Sequence, residues 1–525
     1  MMNKKNFKKF VGKNRIFIIL GSIYFAFFIL FCVLSIIPHY NLHSNAADLG
    51  IFNQAIYNYS HFRLGPSTLR GYPSLLGDHF EILLIPVSAL YYLFGTYTLL
   101  IVQLVAAIVG SFGVYLFIWR KTNDEILSVL ASVFTLTFFG TWQALAFDYH
   151  LDAIAFAILP YLLLFLEKEK EKLYYIFLGA FLLAKESMAF VGIFLGLSIL
   201  IFDKKKRKQG LITAVASFAY LLVVTKYLIP YFAGGTEYGY WYYLQLGADL
   251  PSAIVNLFKY PAIFIKLTFN EPAKIDLLKA ILLSGGFLLI FNFRYLIIFL
   301  PFVLLKVYSI APRMWGVQFQ YMLVAGIILS IGIFLSLDYI KNKFESDHLK
   351  KAVYGFAMLI VLSSFWVTSG QYFYNGYKVS DLFSLNYYET GRGTIRKSFF
   401  DAKSKINSND TVCCQSNLCP YLEDKKIYNL NEFRDAKCNT IILNKSFTRP
   451  NDIVLEFSKM EPADEMELYR KCRISPHCNW RTYYDRGDIG SGCYADKFKK
   501  MIDEMNSLGF RQVYSKDSIE LYSKS

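Results

Sequence analysis

A carboxylate, Asp48, stands in the run Asn45-Ala-Ala-Asp48-Leu-Gly-Ile-Phe52-Asn-Gln54, directly after the first long apolar segment. A charge at the lip of a membrane bundle is costly to desolvate, so it reads first as a working group. From Asp48 onward, Ile51, Phe52, Ala55, Ile56 and Tyr59 recur at helical spacing, which predicts an amphipathic helix. Asn45 is placed to cap that helix, with Asp48 in its first turn. The helix N-terminus then favours the ionised carboxylate, suited to a general base or a hydrogen-bond anchor. The plainer alternative is that Asp48 only stabilises its helix. Gln54, on the same helix, is a candidate contact to a sugar or acceptor.

Three more clusters could do chemistry. Asp78-His79-Phe-Glu81 opens the next apolar stretch. His79 could bind phosphate or shuttle a proton, and Asp78 could hold a sugar or merely cap its segment. Phe147-Asp148-Tyr-His150-Leu-Asp152 forms a short turn between two apolar spans. His150 and Asp152 are candidate sugar or acceptor contacts. Asp-x-His-x-Asp is also a spacing that a divalent metal can use, although these are ordinary turn residues too. Lys185-Glu186 lies between two short apolar runs. Neighbours in sequence do not face each other on a helix, so each needs its own partner. Lys185 could neutralise a phosphate and Glu186 could orient a sugar, or both could touch headgroups. Arg313 is a further candidate phosphate contact. No hydrolase triad, phosphate loop, H-E-x-x-H or dinucleotide fingerprint is present, and no cofactor is demanded.

These groups must be positioned by membrane helices. The chain has 525 residues, 55% of them hydrophobic and 18% aromatic, too apolar for a soluble protein. Its formal charge of +15 falls in short clusters between apolar spans. Such clusters are topology signals and not a nucleic-acid surface. The basic start, Met1 to Arg15, leads into a span too long for a signal-peptide core, so a retained signal anchor is expected.

Apolar runs at 15–37, 97–119, 126–146, 151–166, 172–184, 187–202, 210–232, 277–292, 294–309, 318–337 and 352–369 predict about eleven spans. The stretch 80–95 is read as a helix on the membrane surface. With the N-terminus in the cytoplasm, nearly every basic cluster between spans falls inside. The first loop, 38–96, and the tail from 370 then lie outside. A multi-pass protein of the cell membrane follows, with a transmembrane domain at 1–369 and an extracytoplasmic domain at 370–525.

Seven of the eight cysteines lie in that tail: Cys413, Cys414, Cys419, Cys438, Cys472, Cys478 and Cys493. Clustered cysteines in a polar domain point to disulfides, with a metal site or a reduced domain as alternatives. Seven is odd, so at least one is unpaired within the chain. Short strands at Thr411-Val-Cys-Cys, Lys426-Ile-Tyr-Asn-Leu and Thr440-Ile-Ile-Leu, a helix from Asp496 to Leu508 and a closing hairpin predict a small α/β domain.

The motifs Asp48-Leu-Gly-Ile-Phe-Asn-Gln54, Gly77-Asp-His79-Phe, Phe147-Asp-Tyr-His150 and Lys185-Glu186 resemble those of an uncharacterised family of bacterial and archaeal predicted membrane proteins. The layout resembles the GT-C superfamily of polytopic glycosyltransferases. That resemblance implies a polyprenyl-phosphate sugar donor, a glycan, lipid or protein acceptor, and Asp48 as catalytic base. It implies phosphate binding by Lys185. Two other classes compete: a transporter or flippase of lipid-linked glycans, and a non-catalytic envelope assembly protein. Charges clustered at one face, without an inverted repeat, favour the enzyme.

Overall fold

The computed structural model describes residues 4–373, 377–388, 392–445 and 500–524. The first helix, α1 (Lys4–Tyr40), is long enough to cross a bilayer with turns to spare. The chain then enters the first loop. It carries α2 (Ile51–Ser60), whose apolar face is buried as its spacing predicts. The stretch expected as one surface helix is broken into short turns at Leu84–Val87, Ser88–Leu90 and Tyr91–Phe94. Pro86 interrupts it, and Gly95, at φ +53, ends it before α3 (Thr98–Thr122).

The bundle continues with α4 (Glu125–Thr137) and α5 (Phe139–Leu145), bent 44° from each other. Next come α6 (Asp152–Glu167), α7 (Glu171–Ala184), α8 (Met188–Phe202) and α9 (Arg207–Val223). The loop after α9 holds α10 (Leu250–Lys259) and α11 (Pro261–Phe269), which meet at 102°. Four helices follow: α12 (Pro272–Leu283), α13 (Phe293–Val307), α14 (Ala325–Lys341) and α15 (Asp347–Gly370). Among the described residues, five helices are long and apolar enough to cross a membrane, or up to seven if each bent pair is one span. The count of about eleven therefore exceeds what length and composition support. The helices α6, α7, α8 and α13 have only 14 to 16 residues. They pack around the interior of one core, where Phe134, Phe156, Phe181, Leu195 and Phe334 are fully buried.

After α15 comes α16 (Arg392–Ser404), then a five-stranded sheet. Its strands are β1 (Thr411–Cys414), β2 (Lys426–Asn429), β3 (Thr440–Asn444), β4 (Phe510–Lys516) and β5 (Ile519–Lys524), in the order β2-β1-β3-β5-β4. β1 runs parallel to β2 and β3; β5 is antiparallel to β3 and β4. The expected closing hairpin is present but tighter than expected. Its turn is Asp517-Ser518, both at positive φ, as two-residue hairpins require. The helix before Gly509 is seen over residues 500–507.

Two disulfides form, Cys413–Cys438 and Cys414–Cys419, as the clustering predicts. Cys472, Cys478 and Cys493 lie outside the described residues. The sheet does not stand apart from the membrane part. Leu42, Leu49, Phe52, Ile56 and Leu99 share one buried cluster with Leu418, Tyr421, Ile427 and Leu521.

Candidate active site

The clusters singled out from the sequence converge on one cavity of about 1220 Å³. Its walls come from the first loop, the 147–152 turn, the α7–α8 break, the loop after α9, the end of α13 and the tail. Asp48, Asp78, His79, His150, Asp152, Lys185, Glu186 and Arg313 all line it.

Asp48 sits on a single π-helical turn, Ala46–Gly50, that leads into α2. Such bulges are frequent at functional sites. Asn45 does not cap this turn with its side chain, as the spacing had predicted. Its backbone N–H and side-chain amide both donate to Asp148 Oδ2, at 2.8 and 2.9 Å. The expected helix-end stabilisation of an ionised Asp48 is also outweighed. Its side chain is 23% exposed and lines the cavity. Burial within the protein and then the nearby Asp148 carboxylate push its pKa up to about 7. That is a value suited to a general base at neutral pH.

His150 Nδ1 lies 3.9 Å from Asp48 Oδ1. Burial lowers the His150 pKa to about 3, so its imidazole is neutral. The turn that carries it is clamped by Gln103 of α3. Gln103 donates to the Asp148 carbonyl at 2.8 Å and accepts from the His150 N–H at 2.9 Å. Asp148 itself is at φ +46.

The other charges singled out from the sequence have partners. Arg70 donates to both oxygens of Asp78, at 2.7 and 3.0 Å, and Tyr240 donates to Asp78 as well. Burial opposes ionisation of Asp78, but the Arg70 guanidinium outweighs it and holds the carboxyl below its ordinary value. His79 Nδ1 meets Glu186 Oε1 at 2.7 Å and stacks on Tyr240, with ring centres 4.3 Å apart. Tyr238 and the Phe80 N–H also donate to Glu186. Lys185, at the break between α7 and α8, donates to Asp152 at 2.9 Å. Burial lowers its pKa, but Asp152 and then Glu186 overcome this and raise it. The expectation that Lys185 and Glu186 need separate partners holds.

Arg313 donates to the Tyr242 hydroxyl at 3.0 Å and lies over its ring. Gln54 is a correction. It lines no part of the cavity, because its amide is bound in both directions to Thr68, at 2.7 and 2.9 Å. The Asp148-x-His150-x-Asp152 spacing does not make a metal site. Asp148 turns to Asn45, Asp152 to Lys185 and His150 towards Asp48. Among the described residues, no group of three or more His, Cys, Asp or Glu side chains converges as a metal set would.

Sequence reasoning missed Arg70 as a site residue, and with it Tyr238, Tyr240 and Tyr242. Their alternation in an extended segment was the available signal. The tail also reaches the site. Ser416 accepts from the Ala46 N–H at 3.1 Å, and Pro420 accepts from the Asn53 amide at 3.0 Å. Cys414, Ser416 and Asn429 line the cavity.

The family model that describes a predicted membrane protein, DUF2079, matches residues 38–485, which carry every one of these groups. The chain belongs to the DUF2079 family. No curated protein matches it by sequence. Among solved structures, this DUF2079 protein is similar to ArnT from Cupriavidus metallidurans, whose crystal structure is bound to undecaprenyl phosphate. The TM-score is 0.51 at 9% identity, over 97% of this chain and 98% of that one. At that identity the likeness is one of fold. The DUF2079 protein thus has an ArnT-like fold, and the resemblance to a family of predicted membrane proteins read from its motifs holds.

Proposed function

We propose that this protein is an inverting glycosyltransferase of the cell membrane. It moves a sugar from a polyprenyl-phosphate donor to a glycan, lipid or protein acceptor on the extracytoplasmic face. The observation that carries this reading is Asp48, a carboxyl on the wall of a large cavity that also holds Lys185, Arg313 and His150, with its pKa raised by burial. The ArnT-like fold supports the donor class.

In the proposed step, Asp48 takes the proton of the acceptor hydroxyl as its oxygen attacks the anomeric carbon. The new carbon–oxygen bond forms as the bond to the donor phosphate breaks. Polyprenyl phosphate leaves with the electron pair. Cations on the cavity wall, Lys185 and Arg313 among them, stabilise the charge that develops. His150, neutral and next to Asp48, accepts or donates a hydrogen bond to the sugar or acceptor. Asp78, Asp152 and Glu186 fix the cations and the aromatic loop in place, and remain candidate hydroxyl contacts. His79, held by Glu186, is a further candidate contact to the phosphate.

The test is transfer from a panel of polyprenyl-phosphate sugars, with the unmodified protein and Asp48→Asn side by side. Sugar transfer that falls by about a hundredfold or more in a still-folded Asp48→Asn supports the base. Equal transfer by both removes Asp48 from the chemistry. Donor binding without turnover by the unmodified protein favours a transporter.

A further inference from the structure

Lys306 lies in the last turn of α13 and lines the cavity. It is 1% exposed, and its Nζ has no hydrogen-bond partner. It lies over the Tyr321 ring, 5.1 Å from Nζ to the ring centre. Phe302 and Leu305 on the same helix are apolar and line the cavity beside it. An ammonium buried without a counter-charge is costly, and an arriving anion offsets that cost.

The other cations of the cavity differ. Lys185 is bound to Asp152, Arg70 to Asp78, and Arg313 to Tyr242. Lys226 is exposed. Lys306 is thus the buried cation of the cavity with no hydrogen-bonded carboxylate among the described residues. The same cavity is lined by Phe218 and Leu222 of α9, which are 46% and 42% exposed on the flank of the bundle. A phosphate with a long hydrocarbon tail satisfies both features. Its charge meets Lys306 and its tail meets the α9 wall.

We propose that Lys306 is the residue that binds the phosphate of the lipid donor, the role the sequence pattern places on Lys185. This rests on the lipid-dependent reading above. It assigns the phosphate to the end of α13 beneath Tyr321, with Lys185, held by Asp152, as a second cation on the cavity wall.

The test is binding of undecaprenyl phosphate to the full chain in detergent, with inorganic phosphate as a second probe. The unmodified protein binds the lipid. Lys306→Met and Lys306→Gln each lose about tenfold or more in affinity, and Lys306→Arg recovers part of it. Neither neutral variant melts below the unmodified protein, because neither breaks an ion pair. A merely structural lysine gives the opposite pattern, with lower melting temperatures and unchanged affinity. Lipid binding unchanged in both neutral variants overturns the role of Lys306 alone. No lipid binding by the unmodified protein overturns the lipid-dependent reading and this role together. Displacement of the lipid by an equal concentration of inorganic phosphate overturns the assignment to a lipid headgroup.

Discussion

Protonation decides what Asp48 can do. Only its ionised form accepts a proton, and burial raises its pKa to about 7, which places that change near neutral pH. The expected kcat/KM therefore rises about tenfold per pH unit below 7 and levels above it. A pH–rate profile checks this, and a profile flat from pH 5 to 8 contradicts it. The buried Glu81 has the opposite character. Neither of its oxygens has a hydrogen-bond partner, and burial, then Asp78 and Glu186, raise its pKa well above 4.5. The folded chain holds this proton more tightly than the unfolded chain does. Stability from Glu81 is full below its ordinary value and is lost as pH rises towards the raised one. Glutamine cannot ionise. Glu81→Gln should therefore raise the melting temperature more at pH 8 than at pH 5. At this scale the sequence was informative about types and poor about partners. The motifs pointed to Asp48, Asp78, His79, Lys185 and Glu186. They could not show that Gln54 faces Thr68, because facing depends on a loop that closes fourteen residues later. Lys306 was legible as a lone charge in an apolar run, a signal passed over.

Elements fix how closely these groups approach. The turn Leu75–Gly77 precedes Asp78 and His79 and rests on the helical turn Ile229–Phe232 that follows α9. A Cβ on Gly77 would meet the backbone of Ala233 at 2.5 Å and of Phe232 at 2.6 Å. Backbone cannot step aside as a side-chain tip can. Gly77→Ala should push the turn off its seat and carry Asp78 and His79 with it. Over-packing of this kind costs about 1–3 kcal/mol. Transfer activity should fall by more than the loss of folded protein explains. Activity per folded molecule, normalised by a melting curve, checks this. Apolar periodicity marked the helices well, because that pattern reports burial directly. It does not settle the number of spans, because short helices such as α7 and α8 are just as apolar as long ones. The broken stretch 84–97 shows the same limit: its composition is membrane-like, but Pro86 and Gly95 decide its shape.

The whole molecule is knit between its first loop and its last strands. The shared cluster around Leu49, Phe52, Tyr421 and Leu521 makes the tail part of the site's support, not an appendage. A chain cut after residue 369 would leave the apolar side of α2 and the Ala46–Gly50 turn uncovered. It should aggregate or be degraded in the membrane, and size-exclusion chromatography of the extracted protein checks this. A well-behaved, donor-binding fragment would contradict the shared core. Sequence separated the two parts at a composition change, which was visible. The contact between them was not, because partners such as Asn53 and Pro420 are 367 positions apart.

That separation has a consequence for how the protein comes into being. Ribosomes add about 5–20 residues per second, so roughly 20 to 70 s pass between the making of Asn53 and of Pro420. During that interval the turn bearing Asp48 has no Ser416 beneath it and no Tyr421 against His39. The nascent chain carries its acid without the seat that aims it. On the proposed reading, competence arrives only when synthesis is nearly done, and an interrupted chain should be inert.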